Sequence, residues 1–363
     1  MHRPTVEIYE GRAADYAAAR PPRHRTRARR LAASAGAGAA PIADLGCGPG
    51  GYLADLASGG RPVVAFDGAR AMLELAGHRP CVQGELERPP FARHRLAAAW
   101  ARNSYLHVAA ADLPLALAGL HHGLAVGAPV VLSLIEGDGE GALPGDDLPG
   151  RTFTLWRSPR LADVLAGAGF GAVRIERVKR RDGHGPPSLW ASASRACTLP
   201  DFTGPGLRHL VCGLNPSVVA ADAGFGFAGA TNRFWRVAAA AGLVSRDRDP
   251  WHAVAVDRVG MTDLVKRATP RASEVAAAEY REGADRTRRL VEWLRPGSVI
   301  FVGLEGWRVA VDRRARPGWQ PDGFGGVPAY VMPSTSGLNA RVSAAELTDH
   351  LRAAIEPATE ARS

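Results

Sequence analysis

Two short segments limit what this chain can fold into. Pro41-Ile-Ala-Asp-Leu-Gly-Cys-Gly48 and Leu210-Val-Cys-Gly-Leu-Asn-Pro216 each run an apolar strand directly into a glycine-bearing turn. The opening strand of an open α/β sheet reads this way, and such sheets take their ligands at the carboxyl ends of the strands. Two openings within 363 residues predict an α/β chain with two open doubly wound sheets in tandem. Between them, Arg180–Gly206 is rich in Gly, Pro and Ser. Inside that stretch Leu189-Trp-Ala-Ser-Ala-Ser194 reads as the last, edge strand of the first domain. The boundary is therefore expected near Cys197, giving domains 1–197 and 198–357, with a polar, frayed tail after Ile355.

Composition narrows the partners. Hydrophobic residues make up 46% and charged residues 22%, as in folded globular proteins rather than disordered ones. The net charge of +9 suits a polyanion, because basic side chains on phosphates give affinity without reading sequence. The cysteines, Cys47, Cys81, Cys197 and Cys212, form no C-x-x-C pair, so no metal site is predicted. Cys47 and Cys212 read as buried thiols in a reducing compartment. No apolar run is long enough for a bilayer. The N-terminus has no signal-peptide core, and Glu7, Glu10 and Asp15 are wrong for a transit peptide, so a cytoplasmic location is expected.

In the first half, Asp44-Leu-Gly46-Cys-Gly48-Pro-Gly50-Gly51 lies between a strand and a helix-like run. Gly46, Gly48 and Gly51 also satisfy the G-x-G-x-x-G dinucleotide fingerprint, so the glycines alone leave the ligand open. Asp44 is placed to accept from a ligand ammonium group, and Asp67, ending Val63-Val-Ala-Phe66, to bind both hydroxyls of a ribose. Over roughly residues 5–195 this half resembles the class I S-adenosylmethionine-dependent methyltransferases. The opening helix Tyr9–Tyr16, the run Ala98–His107 and the late Trp156–Phe170 segment fit the layout of that family. The resemblance implies a Rossmann-like fold with Gly46, Gly48 and Asp67 lining an S-adenosylmethionine pocket and Glu85 near the adenine. Glu85 departs from the aspartate usual there. No Asn-Pro-Pro-Tyr-type or Pro-Cys motif indicates nucleobase methylation, and His107, His121 and His122 read as structural or solvated.

In the second half, Asn215 stands just past an apolar strand and is stiffened by Pro216; its neutral amide can hold a water without adding negative charge. A glycine-rich loop, Ala223–Ala230, carries Phe225 and Phe227, and Pro333-Ser-Thr-Ser-Gly-Leu-Asn-Ala-Arg341 combines small residues with one apolar side chain, Leu338, and an arginine. An aromatic on a loop is a stacking platform for an extruded base, and an apolar residue among small ones is a wedge for the gap it leaves.

From Leu199 to Ile355 these residues closely resemble the mismatch-specific uracil/thymine DNA glycosylases. Gly213-Leu-Asn-Pro216 matches the first motif of that family and Met332–Arg341 the second; Thr231-Asn-Arg-Phe-Trp235, Val259–Pro270, Glu279–Gly283 and Ser298–Gly303 keep its spacing. The resemblance implies a uracil-DNA glycosylase fold that needs no cofactor and binds duplex DNA. Asn215 would position the attacking water, Phe227 would stack on the base, and the backbone at Gly213, Leu214 and Asn215 would read its edge. Gly337, Leu338 and Arg341 would enter the minor groove, while Ser334 and Ser336 would hold phosphates through hydroxyls and backbone N–H groups.

With Asn rather than Asp at the water and Met332 rather than His opening the second motif, the site is expected to lack a carboxylate or histidine facing the base, and to be slow. No lysine occupies a nucleophile position, so strand cleavage is not expected. Ser217 stands where glycine is common, and its hydroxyl could narrow the pocket or add a contact. Phe225, Phe234 and Trp235 read as core; Arg233, Arg236, Lys266, Arg267 and Arg271 are candidate phosphate contacts, and Pro21–Arg30 a candidate extension of the DNA surface. The expected function is a monofunctional glycosylase acting on uracil, and on thymine if its methyl fits, opposite guanine. The alternatives are a non-catalytic mismatch sensor, or a methyltransferase whose second domain only binds nucleic acid.

Overall fold

A computed structural model describes residues 3–179 and 185–356. Residues 180–184 of the Gly/Pro-rich stretch, and the tail beyond 356, lie outside the described residues. The chain forms two compact units, one of residues up to 166 together with 170–196, the other of residues 167–169 and those from 197 onward.

The first unit is built on β1 (Ile42–Leu45), β2 (Val63–Asp67), β3 (Cys81–Gln83), β4 (Ala98–Arg102), β5 (Pro129–Glu136), β6 (Glu140–Gly141), β7 (Phe153–Trp156), β8 (Phe170–Val178) and β9 (Ser188–Arg195). Its sheet runs β3-β2-β1-β4-β5-β9-β8, with β7 and β6 extending from the last residues of β5. β1 is buried along its whole length, as expected of a central parallel strand covered on both faces. The Leu189–Ser194 segment is a strand but not the edge one. β9 runs antiparallel between β5 and β8, so its backbone groups are paired on both sides and β8 takes the edge.

The opening segment is two helices, Arg3–Gly11 and Ala13–Ala19, rather than one. The basic run that follows is partly engaged inside its own unit. Arg25 and Arg29 pair with the buried Asp55, and Arg27 with Glu176. Part of the Pro21–Arg30 run is thus engaged within its own unit.

The second unit holds β10 (His209–Gly213), β11 (Val259–Asp263), β12 (Ser298–Val302), β13 (Gly318–Phe324) and β14 (Val327–Met332) in the order β11-β10-β12-β14-β13. All neighbours are parallel except the β13–β14 hairpin. The chain leaves β10 toward β11 on one side and returns to β12 on the other, which puts a topological switch point at the carboxyl end of β10. Each unit therefore opens its ligand crevice at its own glycine-bearing strand.

Candidate functional sites

In the first unit Gly46 turns with φ +69°, and a Cβ on it would fall within 3 Å of Ser104. The loop after β1 thus presses against the loop after β4. Gly48 is also left-handed, and where a Cβ would stand on it the Tyr16 ring lies 3.7 Å away. Its N–H donates to Asp67 Oδ2 at 2.9 Å, and Ala69 N–H donates to Oδ1 at 2.9 Å. Asp67 therefore ties the glycine loop to the end of β2 before it meets any ligand.

Asp44 is 2% exposed and its Oδ2 has no hydrogen-bond partner among the described residues. Burial, then the neighbouring Asp67, push its carboxyl up to about 8, against a weaker pull from Arg102. An orphaned buried carboxyl beside an open glycine turn fits a cationic group, such as the ammonium of S-adenosylmethionine. Glu85, by contrast, is exposed just past β3, on the rim. His107 is buried between Tyr9 Oη, 2.9 Å from its Nε2, and the Thr152 carbonyl, 2.7 Å from its Nδ1; burial lowers it to about 4. It is a structural histidine.

In the second unit the first motif is stitched to the segment after β11. Leu264 N–H donates to Gly213 O, Val265 N–H to Leu214 O, and Thr269 N–H to Pro216 O. The Asn215 amide completes the seam: Nδ2 donates to Thr269 Oγ1 at 2.7 Å, Arg267 O at 3.1 Å and Pro216 O at 3.2 Å. Thr269 Oγ1 spends its own proton on Arg271 O, so it can only accept from Asn215. This fixes the amide orientation and leaves Oδ1 as an acceptor for a water. Leu214 turns its side chain against Gly303 and Gly306, so only its backbone can face a base. Ser217 makes a contact within its own helix. Its Oγ accepts from Ala220 N–H at 3.1 Å and caps helix Val218–Ala223.

Phe227 has φ +58°, a conformation that a bulky residue adopts only under constraint. Its ring stacks on the buried Phe234 at 4.1 Å and 23°, and the loop is pinned by Trp235 Nε1 donating to Gly226 O at 2.8 Å. Phe234 and Trp235 are core, as read; Phe225 is only partly buried.

The second motif is held from below. Arg233 donates to the carbonyls of Val342, Ser336 and Asn339, and Thr335 donates to Asn232 Oδ1 at 2.9 Å. Within the loop Ser336 N–H donates to Ser334 Oγ and Leu338 N–H to Ser336 Oγ. Those two N–H groups are thus engaged within the loop. Gly337 touches Thr231 so closely that a Cβ would stand 2.5 Å from its Oγ1. Out of this braced loop Leu338 projects 92% exposed, the barest large apolar side chain among the described residues. Arg341 is exposed as well.

Three of the candidate phosphate contacts are spent internally. Arg233 clamps the loop, Lys266 Nζ lies 2.8 Å from the buried Asp201, and Arg267 forks onto Glu279 at 2.7 and 2.8 Å. Arg271 lies 3.5 Å from Glu274. Arg236 is exposed, as is Arg341, and stays a candidate for phosphate.

Sequence reasoning missed Asp263. It ends β11 in register with Gly213, and a Cβ on Gly213 would fall within 3 Å of Asp263 Oδ1 and 3.6 Å from Phe227 Cζ. A carboxyl does therefore face the pocket, contrary to expectation. The available signal was its place at a strand's carboxyl end beside the first motif.

The uracil DNA glycosylase superfamily model matches residues 200–357, and a methyltransferase domain model matches residues 42–127. Among solved structures, the chain is similar to a SAM-dependent methyltransferase from Methanosarcina mazei at 15% identity, over 43% of this chain and 92% of that one, with a TM-score of 0.38. It is also similar to 1,6-didemethyltoxoflavin-N1-methyltransferase from Burkholderia thailandensis at 21% identity, over 54% and 92%, with a TM-score of 0.41.

Proposed function

We propose that this chain, which joins a methyltransferase domain to a uracil DNA glycosylase superfamily domain, excises uracil opposite guanine from duplex DNA without cutting the strand, as a step of base excision repair. The observation that carries this reading is the Asn215 carboxamide. Three acceptors consume its N–H groups and leave Oδ1 as the acceptor that can hold a water. That water adds its oxygen to the sugar C1′ as the C1′–N1 bond breaks. The bond's electron pair leaves with the base, and the water's proton ends on the released base.

Phe227, already strained and backed by Phe234, supplies a flat face for the extruded pyrimidine, and Leu338 fills the stack behind it. Lys266, the lysine nearest the first motif, is tied to Asp201 and is no Schiff-base nucleophile. A mismatched pair costs less to open, which suits an enzyme whose water is held by a neutral amide.

In the first domain Asp44, Gly46, Gly48 and Asp67 would hold S-adenosylmethionine, which supplies an electrophilic methyl group when bound. Asp44 would take its ammonium and Asp67 its ribose, while Glu85 stands at the rim.

The test is base release from duplexes carrying G:U, G:T or A:U and from single-stranded U, with the full chain and Asn215→Ala side by side. Alkali-labile product from G:U that falls by about 10²–10³-fold in the variant supports the reading. Duplex binding without product from any substrate would replace it with a mismatch sensor.

A further inference from the structure

The end of β11 carries a group that the mechanism above does not use. Asp263 is partly buried at the switch point, with Gly213 in register beside it and the Phe227 ring across the same open face. Asp263 accepts on its backbone carbonyl from Arg286 at 2.9 Å. No donor among the described residues reaches its carboxyl. The carboxyl thus lies unpartnered between the strand end that would read the base and the ring that would carry it.

We propose that Asp263 reads the extruded base, and that in its neutral form it donates a hydrogen bond to a ring carbonyl oxygen. This rests on the glycosylase reading and names the class of base the pocket takes, an oxo-pyrimidine. As the C1′–N1 bond breaks, negative charge gathers on the carbonyl oxygens of the leaving base. A carboxylic acid beside such an oxygen stabilises that charge, whereas a carboxylate opposes it. Asp263 neither gains nor loses a proton overall.

The surroundings put this choice within reach of ordinary conditions. Burial pushes the Asp263 carboxyl up to about 6, Lys266 pulls it down, Asp201 pushes it up and Arg286 pulls it down. The two cations are already engaged by Asp201, at 2.8 Å from Lys266 and 2.7 Å from Arg286, which blunts their pull. On the neighbouring strand the Cys212 thiol, raised by burial, stays neutral and adds no charge. Near pH 7 most of the protein carries the ionised, opposing form.

The experiment is single-turnover release of uracil from a G:U duplex by the full chain between pH 5.5 and 7.5, with Asp263→Asn alongside. Wild-type release should fall by roughly 25-fold across that range, the ratio of neutral carboxyl at the two ends for a group titrating near 6. Asp263→Asn keeps a donor that does not titrate, so its profile should be flat and faster than wild type at pH 7.5. A flat wild-type profile would overturn the proposal whether or not the variant folds. So would a variant that melts like wild type yet is slower at every pH. No release from wild type at any pH would remove the glycosylase reading and this inference with it.

Discussion

Asp201→Ala should unlock the floor of the second unit. Asp201 is 2% exposed and accepts from Thr262 Oγ1 at 2.6 Å, Arg286 at 2.7 Å and Lys266 Nζ at 2.8 Å. Burial alone would raise its carboxyl, but Arg286 and Lys266 outweigh that and hold it below the ordinary value. Arg286 also grips the carbonyl of Asp263, so the cluster fixes the end of β11. Removing the carboxylate strands two cations in a site built for neutrality, a change that costs about 3–5 kcal/mol in comparable buried pairs. In hydrogen exchange of the full chain, that lowers the protection of β10 and β12 amides by about two to four powers of ten, if they open only with the whole unit.

The pH dependence follows with its sign. The folded value is depressed, so the stabilisation is present above the ordinary value of 3.8 and is lost as pH falls through the folded one. Protection reduced less than tenfold in Asp201→Ala would refute the reasoning. It would mean that water enters and solvates Arg286 and Lys266 in place of the carboxylate.

Leu338→Ala should leave stability within about 0.5 kcal/mol, because a side chain 92% exposed loses no packing on truncation. It should still slow base release from duplex while sparing single-stranded substrate, which melting and release assays together would show. For Asp44, a folded value raised to about 8 makes the ligand-free state hold a proton from pH 3.8 upward, so its contribution to stability declines as pH rises through that window. Binding of S-adenosylmethionine at pH 7 should therefore release close to one proton. Calorimetry in buffers of different ionisation enthalpy measures this, and Asp44→Asn should abolish it.

Much of the architecture was legible in the chain. The two apolar runs ending at Gly46 and Gly213 became the interior strands β1 and β10, because a strand covered on both faces needs an uninterrupted apolar run and a turn needs left-handed or close-approach residues. Asn215, Phe227 and Leu338 were legible as residue types out of keeping with their neighbours. Tertiary structure decided what local pattern cannot carry. β9 reads as an edge strand by its neighbours in sequence, and only the antiparallel insertion between β5 and β8 places it inside the sheet. Arg233, Lys266 and Arg267 look like phosphate ligands because charge is local. Whether a cation is free depends on the carbonyl or carboxylate that folding brings to it from far along the chain. The same holds for Asp263, one carboxyl among many in the sequence. It becomes part of the pocket only because parallel pairing sets it beside Gly213, fifty residues earlier in the chain.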